Sequence, residues 1–267
     1  MSDKAPDPKG SRPSGNWNEV WDPEHYGTGY GEVLYRRAIG EMPEMESSKA
    51  AARRLKGLIR ENDRVLDVGC GAGHYLKSIR SAVDVEFSYT GADATQVMLE
   101  FARKAFEGEP KTEFVKGDVY DLPFEDNEFD VVISNNLLLH LPSIPGPISE
   151  LYRVARRHVL IRTLVGKRAF NIKEVFEPEE YESDGTPKHA NFFNIYSEKY
   201  VTGIIEGLPG VANFSIEPDL DFSSDAIQRD DESLKDPAYY RTTMQGGMQV
   251  NEYILSPWHF ISIAKSG

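Results

Sequence analysis

The sequence predicts an α/β protein built on a doubly wound, mostly parallel sheet. From residue 65 onward, apolar runs of strand length alternate with amphipathic segments of helical periodicity, which is the order of a sheet covered by helices. The first run, residues 65–68, is followed by glycines at every second position: Gly69, Gly71 and Gly73. A strand, a glycine turn and a helix in succession predict a nucleotide-shaped pocket.

The expected elements follow the chain in order. Runs rich in β-branched and aromatic residues predict seven strands, at residues 65–68, 87–92, 112–116, 129–134, 158–165, 212–220 and 258–264. Amphipathic spacing and end signals predict helices at residues 32–39, 44–60, 74–80, 95–106 and 145–155, and another that follows a Ser197 cap and reaches residue 208.

The composition divides the chain into three parts. Residues 1–15 are rich in Pro, Gly, Ser and charge, which predicts a disordered tail. Residues 16–60 form an N-terminal segment with aromatics such as Trp17 and Trp21 before its helices, and residues 61–267 form the main domain. Two connections, residues 166–196 and 223–257, are longer than plain loops, so we expect them to build a lid over the substrate.

The glycine spacing distinguishes between two classes of ligand. A dinucleotide fingerprint, G-x-G-x-x-G, needs a glycine where this chain has His74, so a pyrophosphate is disfavoured. Asp67 suits a ligand that carries an ammonium group. Asp93, at the end of the second strand, can accept hydrogen bonds from both ribose hydroxyls of an adenosine, which either class of ligand contains.

Three segments together carry a resemblance to a known family. Residues 65–75 read V-L-D-V-G-C-G-A-G-H-Y, residues 117–124 read G-D-V-Y-D-L-P-F, and residues 135–142 read N-N-L-L-L-H-L-P. In this order they resemble the motifs of class I S-adenosylmethionine-dependent methyltransferases, in particular small-molecule enzymes with a type 11-like domain. The resemblance implies a Rossmann-like seven-stranded sheet with an antiparallel last strand, a lid built from the insertions, and helices within residues 16–60 that cover the cofactor.

The resemblance also implies a cofactor and the residues that bind it. S-adenosyl-L-methionine would be held by Asp67, Gly69, Cys70, Gly71, Gly73, Asp93, Ala94, Asp118, Val119, Asn135 and Asn136. Some related enzymes have acidic metal ligands after the fourth strand, but this chain has Asn136 and Leu139 there, so we expect no metal. Cys70 is the single cysteine, which excludes an intramolecular disulfide and a multi-cysteine zinc site and favours a packing role.

The predicted reaction is methyl transfer to an O, N or C atom of a small-molecule metabolite. His140 is the first candidate for a general base, and His189 and Tyr26 are further candidates. Two alternatives remain open: a cofactor-binding or sensor domain without turnover, and an NAD-dependent oxidoreductase. The sequence departs from the N-P-P-Y segment of many enzymes that methylate planar amino groups, which disfavours those substrates.

Charge and hydropathy restrict the partners. A formal net charge of −13 disfavours nucleic acid as a partner. There is no apolar run of roughly 18 residues that could span a membrane and no secretory signal, so we expect a cytoplasmic protein. The small-molecule methyl acceptor would be the main partner, and the protein would be a monomer or a homodimer.

Overall fold

The structure is a computed structural model that describes residues 23–175, 179–221, 242–245, 248–251 and 254–266. For residues 23–28 and for the three short strands between residues 242 and 256, only the course of the backbone is described. The predicted tail at residues 1–15 lies outside the described residues, and so do Trp17 and Trp21. The same holds for three aromatic residues of the long insertions that we expect to build the lid, Phe176, Tyr239 and Tyr240.

Thirteen strands and six α-helices are present in the described ranges. The strands are β1 (Asp63–Val68), β2 (Phe87–Asp93), β3 (Thr112–Lys116), β4 (Phe129–Asn135), β5 (Ala155–Gly166), β6 (Lys173–Val175), β7 (Ala190–Phe192), β8 (Tyr196–Ser197), β9 (Val211–Pro218), β10 (Thr242–Gln245), β11 (Met248–Asn251), β12 (Ile254–Ser256) and β13 (Trp258–Lys265). The helices are α1 (Pro23–Ala38), α2 (Glu46–Leu55), α3 (His74–Ala82), α4 (Gln96–Ala105), α5 (Pro145–Val154) and α6 (Glu198–Glu206), with a 3₁₀ helix at Leu138–His140.

Seven strands form the main path of the central sheet in the order β3-β2-β1-β4-β5-β13-β9. The first five are parallel to one another, whereas β13 runs antiparallel between β5 and β9. This arrangement confirms the predicted doubly wound sheet with an antiparallel last strand. Its order reverses between β1 and β4, and ligands in open α/β sheets bind at such a switch point.

The core lies on both faces of this sheet. One apolar cluster packs α2, α3 and α4 against the strands and includes Leu55, Ile79 and Leu99. The other packs α5 and α6 on the opposite face and includes Leu151 and Ile205. The inner strands β1 and β4 are buried along nearly their whole length, because helices cover both of their faces.

The predicted element boundaries agree with the structure to within a few residues, with two larger differences. The N-terminal helix α1 begins at Pro23, nine residues before the predicted start at residue 32. Its glycines obscure the helical pattern in the sequence, yet Gly31 is needed there, because a Cβ would lie 2.8 Å from the Phe101 ring of α4. Helix α2 ends at Leu55, just before Gly57, instead of reaching residue 60.

Both long insertions contain short strands that the sequence pattern did not indicate. The first insertion carries the antiparallel hairpin β6–β7 and the strand β8, which extends the sheet beside β5. The described part of the second insertion forms a three-stranded sheet, β10-β11-β12. Among the described residues, no helix combines the length and apolarity that crossing a bilayer requires.

Candidate functional site

A cavity of about 260 Å³ lies at the carboxyl ends of β1, β2 and β4. Its walls come from the glycine turn, the ends of these strands, α1 and α4, the first insertion and β13. The lining residues are Tyr30, Leu34, Met45, Val68, Gly69, Gly71, His74, Tyr75, Asp93, Ala94, Thr95, Met98, Gly117, Val119, Asn135, Asn136, Leu137, Leu139, His140, Phe193 and Trp258.

The glycine turn after β1 places backbone atoms directly against this cavity. Gly69, Gly71 and Gly73 all have positive φ, at +78°, +53° and +77°, where a side chain is strained. A Cβ on Gly69 would meet Leu137 at 3.0 Å, and one on Gly73 would meet Phe106 at 2.8 Å. Gly69 and Gly71 line the cavity, whereas Gly73 precedes α3 and packs against Phe106 and Phe114.

Asp93 links the end of β2 to the glycine turn. Its Oδ2 accepts a hydrogen bond of 2.9 Å from the Gly71 N–H, and its Oδ1 accepts one of 2.9 Å from the Thr95 N–H. Burial raises the pKa of this carboxyl above its ordinary value, against the opposing effect of these two bonds. The carboxylate is therefore fixed in orientation, and each oxygen keeps a lone pair for a ligand.

Asp67 and Cys70 lie behind the cavity instead of on its wall. Tyr89 donates a hydrogen bond of 2.8 Å from its hydroxyl to Asp67 Oδ2, and burial raises the pKa of Asp67 to about 7. The Cys70 sulfur lies 2.9 Å from the position of a Cβ on Gly91, so it packs against β2. Burial also raises the pKa of its thiol well above the ordinary value.

The segment after β3 contributes backbone and apolar atoms to the wall. Gly117 and Val119 line the cavity, and so does Ala94 after β2. Asp118, which the resemblance places beside an adenine, is absent from the lining. Its Oδ1 instead accepts a hydrogen bond of 3.0 Å from the Tyr120 N–H, which stabilises the turn.

Asn135 and Asn136 bring polar side chains from the end of β4 to the cavity. Asn135 is 7% exposed, and neither atom of its amide has a hydrogen-bond partner among the described residues. An unsatisfied buried amide is costly, so it is a ready partner for a bound polar ligand. Asn136 is held by the protein, because its Oδ1 accepts from Arg162 and its Nδ2 donates to Tyr75.

His140 ends the 3₁₀ helix after β4 and lies on the cavity wall. Its Nδ1 is 2.9 Å from the Phe192 carbonyl oxygen and 3.2 Å from Asn191 Oδ1. A carbonyl can only accept, so Nδ1 carries the proton of a neutral ring and Nε2 is the basic atom. Burial lowers the pKa of this histidine to about 4, against the raising effect of these two bonds.

The other catalytic candidates do not join His140 on the wall. His189 is half-buried beside β7 and is absent from the cavity lining. The backbone of Tyr26 lies in α1, but its side chain lies outside the described part of the structure. In the described ranges, no group of three or more His, Cys, Asp or Glu side chains could hold a metal ion.

The sequence analysis did not identify several of the lining residues as candidate site residues. His74 follows the glycine turn, and its Nδ1 has no hydrogen-bond partner among the described residues. Burial lowers its pKa to about 3, so the ring is neutral at pH 7. Trp258 and Phe193 come from β13 and the first insertion, far along the chain from the glycine turn. The sequence signal near these residues is Arg162, which is the one arginine within the otherwise largely apolar strand predicted at residues 158–165.

Fold and site together define an α/β protein with a nucleoside-sized cavity at the switch point of its sheet. Residues 66–161 match the family model described as a methyltransferase domain. This stretch therefore carries a methyltransferase domain, which confirms the predicted resemblance to methyltransferases.

Curated relatives from two enzyme groups resemble the chain. A sterol 24-C-methyltransferase of Aspergillus fumigatus is 29% identical over 214 residues, which are 78% of this chain and 51% of the relative. A demethylmenaquinone methyltransferase of Symbiobacterium thermophilum is 34% identical over 100 residues, which are 36% of this chain and 40% of the relative. The chain spans about half or less of the length of such relatives.

Solved structures support the fold. Phosphoethanolamine N-methyltransferase 2 of Haemonchus contortus, solved with S-adenosyl-L-methionine, gives a TM-score of 0.61 at 17% identity, covering 97% of this chain and 61% of that one. A methyltransferase of Haloferax volcanii, solved with its Trm112 activator, gives a TM-score of 0.55 at 18% identity, covering 88% of this chain and 96% of that one.

Proposed function

We propose that this protein transfers the methyl group of S-adenosyl-L-methionine to an O, N or C atom of a small-molecule metabolite. The observation that carries the proposal is the fixed carboxylate of Asp93 beside the glycine turn. It lies on a cavity at the switch point of a sheet, within a segment that matches a methyltransferase domain. A ribose with two vicinal hydroxyls is the natural partner of such a carboxylate.

The cavity wall fits the three parts of this cofactor. The turn at Gly69 and Gly71 presents backbone to the methionine part, and Asp93 can accept hydrogen bonds from the ribose. Ala94 and Val119 offer an apolar surface to the adenine ring. Asn135 has an unsatisfied amide for a polar group of the bound molecule. Asp67, Cys70, Gly73 and Asp118 would support this site from behind without lining it.

The N-terminal segment would cover the bound cofactor. Tyr30 and Leu34 of α1 line the cavity, together with Met45 just before α2. Leu34 is 5% exposed and packs with Ala72 of the glycine turn and with Met98. This contact between α1 and the turn supports the assignment of residues 16–60 as a cofactor-covering part of the molecule.

Methyl transfer depends more on how the methyl acceptor is positioned than on a protein group that activates it. Bound S-adenosyl-L-methionine supplies a methyl group that is already activated for an in-line displacement. The protein holds the acceptor in line with that group and excludes water, which can account for much of the rate. His140 is neutral at pH 7, so its Nε2 can accept a proton from the acceptor, and a positioned base contributes about 10² to 10⁴ in rate.

The cavity wall formed by the first insertion and β13 is apolar, which supports a methyl acceptor with an apolar body. Leu139, Phe193 and Trp258 line it, and they belong to one apolar cluster with Leu164 and Ile195. Ligand sites of this kind combine apolar walls with a few polar groups that fix orientation. His140 is the neighbouring polar group, with its ring centroid 6.2 Å from that of Phe193.

The decisive experiment is calorimetric titration of the purified full chain with S-adenosylhomocysteine, with NADH titrated in parallel. We expect micromolar binding of S-adenosylhomocysteine and at least a roughly tenfold loss in the Asp93→Asn variant, because hydrogen bonds to a charged group are worth about 1.5–3 kcal/mol each. Asp130→Asn is the matched control, since Asp130 is a buried carboxylate that also accepts a backbone bond, from Arg64, but lies at the opposite end of the sheet.

Two results would contradict the proposal: tighter binding of NADH, or equal losses in both variants. Once binding is established, small metabolites are screened as methyl acceptors by mass spectrometry, with S-adenosylhomocysteine formation as the readout. Binding without turnover across such a screen would favour a sensor domain over an enzyme.

A further inference from the structure

Hydrogen bonds beside the cavity form a chain that joins Asp219, the residue after β9, to Ser47 of α2. Arg162 of β5 donates from Nε to Asp219 Oδ2 at 2.8 Å and from Nη1 to Asn136 Oδ1 at 2.6 Å. Asn136 Nδ2 donates to the Tyr75 hydroxyl at 3.2 Å, and Tyr75 donates to Ser47 Oγ at 3.0 Å. Asn136 and Tyr75 line the cavity, but Arg162 does not.

The arginine sets the orientation of the Asn136 amide in this chain. A guanidinium can only donate, so the atom of Asn136 that faces it must be the amide oxygen. The amide nitrogen must then face Tyr75, whose hydroxyl accepts from it and donates its own proton to Ser47. Without the arginine, the two ends of the Asn136 amide would be nearly equivalent, and either end could face Tyr75.

Arg162 holds Asn136 at a second point. The backbone N–H of Asn136 donates to the Arg162 carbonyl oxygen at 2.9 Å, while the side chains meet through Nη1 and Oδ1. Asn136 has a φ of +57°, a conformation that non-glycine residues adopt at a cost and that asparagine tolerates better than most. The two contacts offset this cost and fix the amide on the cavity wall.

Arg162 itself is held rigidly. Its side chain is 2% exposed and that of Asp219 is 0% exposed. The guanidinium carbon also lies 4.0 Å from the centre of the Trp258 ring, which lines the cavity. Asp219 directly follows β9, and its N–H donates to the Trp258 carbonyl oxygen at 2.8 Å. An arginine fork can serve two partners at a fixed angle, which a lysine cannot do.

We propose that Arg162 is a positioning residue that acts on the cavity through Asn136. It fixes the orientation of the Asn136 amide and, through that amide, the orientation of the Tyr75 hydroxyl. Both groups then present their hydrogen-bond donors and acceptors to the bound molecule in one fixed arrangement. Asp219 and Trp258 hold the arginine in place. The binding part of the test rests on the proposed function, because its probe is S-adenosylhomocysteine.

A double-mutant cycle separates this role from simple stabilisation. Arg162→Lys keeps a positive charge beside Asp219, but its single nitrogen lacks the planar fork that bonds Asp219 and Asn136 through separate nitrogens. We expect Arg162→Lys to weaken S-adenosylhomocysteine binding at least fivefold in the wild-type background and less than twofold in the Asn136→Ala background. Arg156→Lys is the matched control, because Arg156 also lies on β5 and pairs with Asp130 at 2.9 Å, away from the cavity.

A second measurement needs no ligand. The side-chain amide protons of Asn136, assigned by nuclear magnetic resonance with the help of Asn136→Ala, should exchange with water at least tenfold faster in Arg162→Lys than in Arg156→Lys. Both variants are compared at equal distance from their melting temperatures, so a general loss of stability does not produce the difference.

Each outcome decides the proposal. Equal losses of binding in both backgrounds, or no loss in either, would overturn it. If the wild-type protein does not bind S-adenosylhomocysteine, the proposed function fails, and the amide exchange alone decides the role of Arg162. Unchanged exchange in Arg162→Lys would then overturn the inference, and accelerated exchange would support it.

Discussion

The backbone N–H of Gly71 donates a hydrogen bond of 2.9 Å to Asp93 Oδ2. This bond joins the turn after β1 to the end of β2, two elements whose strands are already paired in parallel register. The turn and the carboxylate are therefore organised before any ligand arrives. A preorganised site loses less conformational entropy on binding, so affinity should be sensitive to the shape of this turn.

Gly71→Ala should reduce S-adenosylhomocysteine binding by about tenfold or more. A Cβ at this position would lie 3.3 Å from Leu34 Cδ1 on the cavity wall, and the positive φ of +53° adds about 1–2 kcal/mol of strain. Calorimetry measures the affinity, and thermal unfolding measures the stability.

Gly108→Ala is the control for this substitution. Gly108 also has a positive φ, +79°, but a Cβ there would meet open space. Both variants should lose similar stability, while the loss of binding belongs to Gly71→Ala alone. Similar losses of affinity in the two variants would show that strain in the fold, and not the cavity wall, weakens binding.

Asp67→Asn should stabilise the ligand-free protein increasingly as the pH rises from about 4 to about 7. The folded pKa of Asp67 is raised from 3.8 to about 7 by burial. The native state therefore binds more protons than the unfolded state in this window, so the ionisation of Asp67 lowers the stability as the pH rises. The difference between variant and wild type should approach about 4 kcal/mol at most and level off above pH 7.

The measurement is the free energy of unfolding from denaturant titrations at several pH values. Asparagine can still accept the hydrogen bond from the Tyr89 hydroxyl, so the variant changes the charge with little change in packing. Asp84→Asn, which removes an exposed carboxylate, is the control. A difference that stays constant from pH 4 to pH 7 would contradict the raised pKa.

Cys70 should be inert in the native protein. Burial raises the pKa of its thiol, and the thiolate is the reactive form. Iodoacetamide should therefore modify Cys70 slowly in native protein and readily in denaturant, as measured by mass spectrometry. Cys70→Ala should bind S-adenosylhomocysteine within about twofold of wild type, because the sulfur packs against Gly91 and not against the cavity. Rapid native modification that S-adenosylhomocysteine blocks would contradict this role.

Much of the fold could be predicted because the decisive residues are local in the sequence. The apolar runs of β1 and β4 mark strands that are buried on both faces, and Ser197 does cap α6 by accepting from the Tyr200 N–H. The hairpin β6–β7 could not be predicted, because its three-residue strands carry too little alternation. Their pairing depends on contacts with the rest of the fold.

The site, too, contains some residues that local sequence predicts and others that it does not. Gly71 and Asp93 could be predicted, because a turn and the end of a strand place them by local geometry. The position of Trp258 in the cavity could not be predicted, because it depends on the pairing of β13 with β5. Arg162 is the one arginine within the predicted strand at residues 158–165, but its partner Asp219 is 57 residues away. Such pairings depend on topology, which the local pattern does not specify.

His140→Gln should lower kcat by about 10²-fold or more with an acceptor that must lose a proton. His189→Gln is the control, because His189 does not line the cavity.

The pKa of His140 is lowered to about 4 by burial, so its neutral, basic form is present at every pH above about 4. The wild-type rate should therefore not fall near pH 6.5, where an ordinary histidine becomes protonated. Titration of the His140 ring by nuclear magnetic resonance tests the pKa without an acceptor. A midpoint near 6.5, or a rate for His140→Gln equal to that of His189→Gln, would remove His140 from the mechanism and leave methyl transfer dependent on positioning alone.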